Sequence, residues 1–188
     1  MATIGQAVPD DTYQAFHEDE IRGLKLESYR GRWLVIVFYP GDFTFICPTE
    51  LEELGALYND FQKAGAEVIG VSTDSVYVHK AWHDTSPAIR TLAFPLVADP
   101  GGMLAQKLGV YLHREGVALR GSFIFDPDGK LCAYEVHANN IGRNMQELLR
   151  KLQAAAFVRD NGGVEVCPAG WKPGDRTLRP SLDLVGKL

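Results

Sequence analysis

Cysteine is scarce in this chain: Cys47, Cys132 and Cys167 are the 3 among 188 residues. So small, odd and widely spaced a set excludes the disulfide scaffold that staples small secreted domains. No C-x-x-C pair occurs, because Cys47 is followed by Pro48, Thr49 and Glu50. That disfavours a thioredoxin-type dithiol exchange site and a paired-cysteine zinc site. No G-x-G-x-x-G or Walker loop follows a strand-like run, so no bound flavin or nucleotide cofactor is expected. His79 and His83 lie four apart without a third ligand; they read as surface residues, and no metal is expected.

Long hydrophobic runs are missing too. The longest clean one, Trp33 to Tyr39, falls far short of the roughly 20 residues a membrane span needs. The first residues, Met1 to Gln6, lack the basic and apolar regions of a secretory signal. The expectation is a cytoplasmic protein without a membrane partner. Positive charge is in deficit, with 19 Lys and Arg against 24 Asp and Glu, so nucleic acid is not expected as a partner. Hydrophobic residues make up 46% and charged residues 23%, a globular composition. The length suits one domain, taken as residues 1–160, followed by a loop-like tail, 161–188, that carries Cys167 and three prolines.

Periodicity supplies the elements. Trp33–Tyr39 reads as a strand buried on both faces, ended by Pro40-Gly41-Asp42. From Cys47 the period changes: Leu51, Leu54, Leu57, Tyr58 and Phe61 fall at helical spacing, and Gly65 closes one helix. Strands are predicted at 67–72, 94–98, 121–125 and 130–137, and helices at 76–84 and 103–108. Asp126-Pro127-Asp128-Gly129 makes the turn of a hairpin. Ile141, Met145, Leu148, Leu149 and Leu152 mark a final helix. Alternating strands and helices followed by a hairpin and a helix predict an α/β protein, a mixed sheet flanked by helices. A thioredoxin-like fold has this layout, and the pattern alone leaves flavodoxin-like relatives open.

Cys47 falls where the buried strand gives way to a helix. Pro48 suits an early helical position, where a missing N–H costs nothing. Unpaired N–H groups and the helix dipole favour an anion there, and a helix N-terminus can bring a cysteine thiol from about 8.5 to roughly 3.5–7.5. Thr44, three residues earlier, offers a hydroxyl to the same pocket. Cys132 alternates within a predicted strand and reads as a small buried hydrophobe. Trp82 reads as helix packing.

Pro40-x-x-x-Thr44-x-x-Cys47 resembles the active-site signature of the peroxiredoxins, and Phe-Thr-Phe-Ile-Cys-Pro-Thr-Glu resembles its typical two-cysteine members. Leu119-Arg120-Gly121-Ser122-Phe123 and Ile141-Gly142-Arg143 are similar to the family's two arginine segments. Glu165 to Trp171 is similar to its resolving-cysteine segment, and Pro180 to Leu188 to the ending of the bacterial alkyl hydroperoxide reductase C branch. The resemblance implies a thiol peroxidase of antioxidant defence, reducing hydrogen peroxide and alkyl hydroperoxides. Cys47 is then the peroxidatic residue and forms a sulfenic acid. Arg120 and Thr44 bind thiolate and peroxide, Pro40 shields the pocket, and Glu50 and Arg143 orient Arg120. Cys167 is the resolving residue, forming a Cys47–Cys167 disulfide between subunits of a homodimer, with five dimers in a decamer. An aromatic such as Trp82 near the active-site wall is also implied. So is an external reductant, either a flavoprotein disulfide reductase or a thioredoxin-like protein. Residues 83–95 carry no Gly-Gly-Leu-Gly insertion and no Tyr-Phe helix follows, which implies resistance to overoxidation. Two other classes stay open: a redox-controlled holdase chaperone and a peroxide sensor that passes its disulfide on.

Overall fold

A computed structural model describes residues 2–187. Seven strands form one mixed sheet in the order β2 (Glu20–Lys25), β1 (Thr12–His17), β5 (Leu96–Ala98), β4 (Ala66–Ser72), β3 (Trp33–Phe38), β8 (Arg120–Phe125), β9 (Leu131–His137). At its centre β3 (Trp33–Phe38) runs parallel to β4 (Ala66–Ser72) and antiparallel to β8 (Arg120–Phe125). β5 (Leu96–Ala98) extends the parallel part, and β9 (Leu131–His137) pairs with β8 as the outer strand. The strand–helix–strand crossovers predicted from the change of period are therefore present.

Every residue of β3 is buried, and its pleat divides two cores. Leu34, Ile36 and Phe38 face a core that includes Ile69, Val97, Leu104 of α4 (Met103–Lys107) and Phe123. Val35, Val37 and Tyr39 face the other core, shared with α1 (Cys47–Ala56), α2 (Tyr58–Lys63), Trp82 of α3 (Val76–Thr85) and α5 (Met145–Asp160). Alternation sends successive side chains to opposite faces, so a run without polar residues feeds two apolar layers at once. The hairpin turn forms as expected: Gly129 donates to the Asp126 carbonyl at 2.8 Å and has φ +72°, a value that costs glycine nothing.

Three elements differ from expectation. The single helix predicted from Cys47 to Gly65 is two, Cys47–Ala56 and Tyr58–Lys63, separated at Leu57, whose φ and ψ are −95° and −3°. Both pieces still deliver their apolar residues, Leu51, Leu54 and Phe61, to the same core. The final helix begins at Met145 rather than Ile141, which is 56% exposed outside it. Asn144 caps this helix, accepting from the Glu147 amide at 2.9 Å. An unpredicted N-terminal hairpin, β1 (Thr12–His17) and β2 (Glu20–Lys25), joins the sheet through β5. Its turn places Glu18 and Asp19 at φ +53° and +60°, a conformation usually signalled by Asn-Gly or Asp-Gly. The two-residue strands β6 (Tyr111–Leu112) and β7 (Val117–Ala118) form a separate small ribbon.

Beyond α5 the tail lies against that helix. Trp171 is buried and packs tilted against Phe157 with ring centroids 5.1 Å apart, while Arg150 donates to the Trp171 carbonyl at 2.9 Å. A bridge between Val166 and Leu178 closes the loop containing Cys167. For the Asn144 cap, Asn144→Ala is expected to cost about 1 kcal/mol, and Asn144→Asp nearly nothing. The check is the urea midpoint of each variant at unchanged slope.

Candidate active site

Cys47 is the first residue of α1, with Pro48 following, as its place after β3 predicts. Its side chain is fully buried against Leu51 and the second core. Arg120, the first residue of β8, reaches it across the sheet. Nη1 of Arg120 donates to Sγ at 3.4 Å and to Glu50 Oε2 at 2.8 Å, and Nε donates to the Asn139 carbonyl at 3.0 Å.

Glu50, one turn into α1, joins Arg120 to Arg143. Arg143 donates its backbone N–H and Nε to Oε1, at 2.8 and 3.0 Å, and Nη2 to Oε2 at 2.8 Å. Its Nη1 donates to the Gly121 carbonyl at 2.9 Å and to Ser122 Oγ at 3.1 Å. Glu50, Arg120 and Arg143 are 2%, 3% and 6% exposed. Charges so deeply buried persist only when paired and hydrogen-bonded. Burial is the largest single influence on Glu50 and pushes its carboxyl up. The hydrogen bonds and charge of Arg143, with Arg120, outweigh it and hold the carboxyl below its ordinary value. The cluster carries one carboxylate and two guanidiniums, a surplus of one positive charge facing Sγ.

The remaining predicted residues are placed differently. Pro40 is half-buried between Tyr39 and Gly41. Thr44 Oγ1 donates to the Gly41 carbonyl at 2.9 Å; among the described residues no hydrogen bond joins it to Cys47. Cys167 is half-buried, with Sγ 3.8 Å from the Ala154 carbonyl of α5. It shares a groove with Trp33, at the start of β3, whereas Cys47 lies past the end of that strand.

His79 is a correction. It is fully buried rather than on the surface, because its Nδ1 meets Asp42 Oδ2 at 2.7 Å. Tyr39 donates to Asp42 Oδ1 at 2.8 Å, and the Asp42 backbone N–H donates to Asp74 Oδ2 at 2.8 Å. Burial pushes the Asp42 carboxyl up, more than His79 pulls it down. This group ties α3 to the loop before Cys47, and nothing in the spacing of two histidines signals it. Trp82 packs on both Tyr39 and Phe43, ring centroids 6.1 Å apart in each pair, so it is helix packing and also a neighbour of the active-site loop. Cys132 is half-buried rather than buried; its thiol donates to the Ile124 carbonyl at 3.3 Å.

The AhpC/TSA family profile matches residues 4–134, and the profile of the C-terminal domain of 1-Cys peroxiredoxin matches residues 157–188, the segment that here contains Cys167. Alkyl hydroperoxide reductase C of Pseudomonas aeruginosa (strain UCBPP-PA14) is 47% identical, covering 100% of both chains. The protein of that name from Staphylococcus aureus (strain Mu50 / ATCC 700699) is 45% identical, again over 100% of both. The crystal structure of Enterococcus faecalis AhpC superposes with a TM-score of 0.86 at 43% identity, covering 89% of this chain and 100% of that one. Reduced Plasmodium vivax 2-Cys peroxiredoxin superposes with a TM-score of 0.91 at 29% identity, covering 97% of this chain and 96% of that one. With the mixed seven-stranded sheet, these likenesses establish the thioredoxin-like fold. The chain belongs to the AhpC/TSA family and is a peroxiredoxin-type peroxidase.

Proposed function

We propose that Cys47 reduces hydrogen peroxide and alkyl hydroperoxides, and that Cys167 of a second subunit resolves the product. The observation that carries this reading is the Arg120 guanidinium 3.4 Å from Sγ, held by Glu50. That guanidinium presents an N–H donor to the sulfur and to an oxygen that approaches it. In the first step the thiolate attacks one peroxide oxygen, the O–O bond breaks, and the departing oxygen leaves as water or alcohol after taking a proton. The sulfur becomes a sulfenic acid. Arg120 N–H groups aimed at the pocket stabilise charge on the departing oxygen. Thr44 joins the peroxide contacts by turning its hydroxyl from Gly41, and Pro40 shields the sulfur from water.

In the second step the Cys167 sulfur attacks the sulfenic sulfur, water leaves, and a disulfide forms. The family resemblance places this Cys167 on the other subunit of a homodimer, and a decamer of five such dimers is the assembly it implies. Cys47 is buried in the first turn of a helix, so α1 unwinds for this step. Phe43 assists: its φ of +55° costs a non-glycine residue about 1–2 kcal/mol, which unwinding releases. Two electrons from a flavoprotein disulfide reductase or a thioredoxin-like protein return both thiols. The cycle belongs in a reducing compartment, the cytoplasm, where three unpaired cysteines persist.

On a non-reducing gel, one equivalent of peroxide is expected to give a disulfide dimer. Cys47→Ser and Cys167→Ser should each abolish it; a dimer that survives either change sinks the proposal. Arg120→Gln is expected to slow the peroxide step by about 10²–10³-fold, measured by stopped-flow fluorescence. A third expectation concerns acid. Glu50 has a folded-state pKa below its unfolded 4.5, so its contribution to stability is present above that value and is lost as pH falls through the folded one. The stability gap between wild type and Glu50→Gln should therefore shrink below pH 4.5, read from urea titrations across pH.

A further inference from the structure

A thiol without a part in this cycle shares the groove of Cys167. Cys132 and Cys167 both line a cavity of about 470 Å³, together with Trp33, Ala154, Ala155 and Val158. The two alanines of α5 present only methyl groups there. Neither sulfur is in a disulfide. Each makes one weak hydrogen bond, Cys132 to the Ile124 carbonyl at 3.3 Å and Cys167 to the Ala154 carbonyl at 3.8 Å.

Cys132 is aimed there by an irregularity in the sheet. Ile124 pairs with Ala133 and Phe125 with Leu131, so Cys132 is the extra residue of a β-bulge. A bulge redirects a side chain, and here Cys132 and Ala133, adjacent in sequence, both pack on the α5 side. Cys167 is followed by Pro168, Ala169 and Gly170 in the tail. The strand thus fixes one thiol, and an irregular segment carries the other.

We propose that Cys132 is a third redox-active thiol, which takes over the disulfide from Cys47 and converts the bond between subunits into Cys132–Cys167 within one chain. This rests on Cys167 being the resolving residue. The Cys132 thiol gives its proton to solvent, and its sulfur attacks Sγ of Cys167. The bond from Cys167 to Cys47 of the other subunit breaks, and that Cys47 departs with the electron pair as a thiolate. One disulfide is lost and one is formed, so neither oxidant nor reductant is consumed. The tail brings the two Cα atoms within the roughly 4.4–6.8 Å a disulfide needs.

The exchange is slow at neutral pH. Burial, and after it the charge of Asp126, push the Cys132 thiol up to about 11. Only a small fraction is then ionised at neutral pH, and below that pKa the rate rises about tenfold per pH unit. The transfer follows peroxide turnover when reductant is exhausted, and it frees Cys47 while the chain remains oxidised.

The full-length protein is oxidised with one equivalent of hydrogen peroxide without reductant at pH 7, 8 and 9. Samples are acid-quenched, alkylated and run on non-reducing gels. In wild type the dimer band is expected to form and then revert to monomer about tenfold faster per pH unit. Trypsin should then release residues 131–143 disulfide-linked to 160–176. In Cys132→Ala and Cys132→Ser the dimer should persist. A wild-type dimer as persistent as either variant's, or the absence of that linked pair, overturns the proposal. Failure of Cys132→Ala to form any dimer at the earliest time overturns the resolving role itself, and this proposal with it.

Discussion

A single buried carboxylate holds the site together. Glu50 accepts from Arg120 and from the side chain and backbone of Arg143, so it joins helix α1 to β8 and to the loop before α5. Left alone, it would be neutralised by burial; left without it, two guanidiniums would share a water-poor interior. Neither condition is tolerable separately, and the three groups are stable only as a set. The consequence for Cys47 is positional. Arg120 cannot turn away from the sulfur without surrendering its bond to Glu50, so the same contact that neutralises the carboxylate aims the guanidinium.

The sheet also decides where the second cysteine lies. Because β3 stands between Cys47 at one end and the Cys167 groove at the other, the compact chain keeps its two outlying thiols apart. Trp171, buried against Phe157, anchors the tail at the far end. Cys47 and Cys167 therefore lie in different surroundings, one in the second core and one in a groove beside α5.

How much of this was legible in the sequence depended on how local the signal was. β3 and α1 were readable because their apolar residues repeat at the period of one element. The strand-to-helix turn placed Cys47 at a helix start without any structure. The β1–β2 hairpin was missed because Glu18 and Asp19 make its turn in a conformation that glycine or asparagine usually announces. The break at Leu57 was hidden because the residues on both sides still point to one core. Arg120 and Arg143 were visible only through family resemblance, since an arginine in an arbitrary chain reads as a surface charge. Their burial follows from convergence on Glu50 from 70 and 93 residues away, which no local pattern records. His79 failed for the same reason: its partner, Asp42, lies 37 residues earlier.

The buried contact between Asp42 and His79 also sets how far the chain can peel open. Asp42 is anchored from three sides, by Tyr39, His79 and Asp74, so any unwinding that starts at Cys47 is arrested there on the upstream side. Downstream, the helical axis is already interrupted at Leu57, and Phe61 beyond it is locked in the core. The Cys47 sulfur therefore rides on a leash with two fixed posts, Asp42 and Phe61, and the slack between them bounds the distance at which a second thiol can be met.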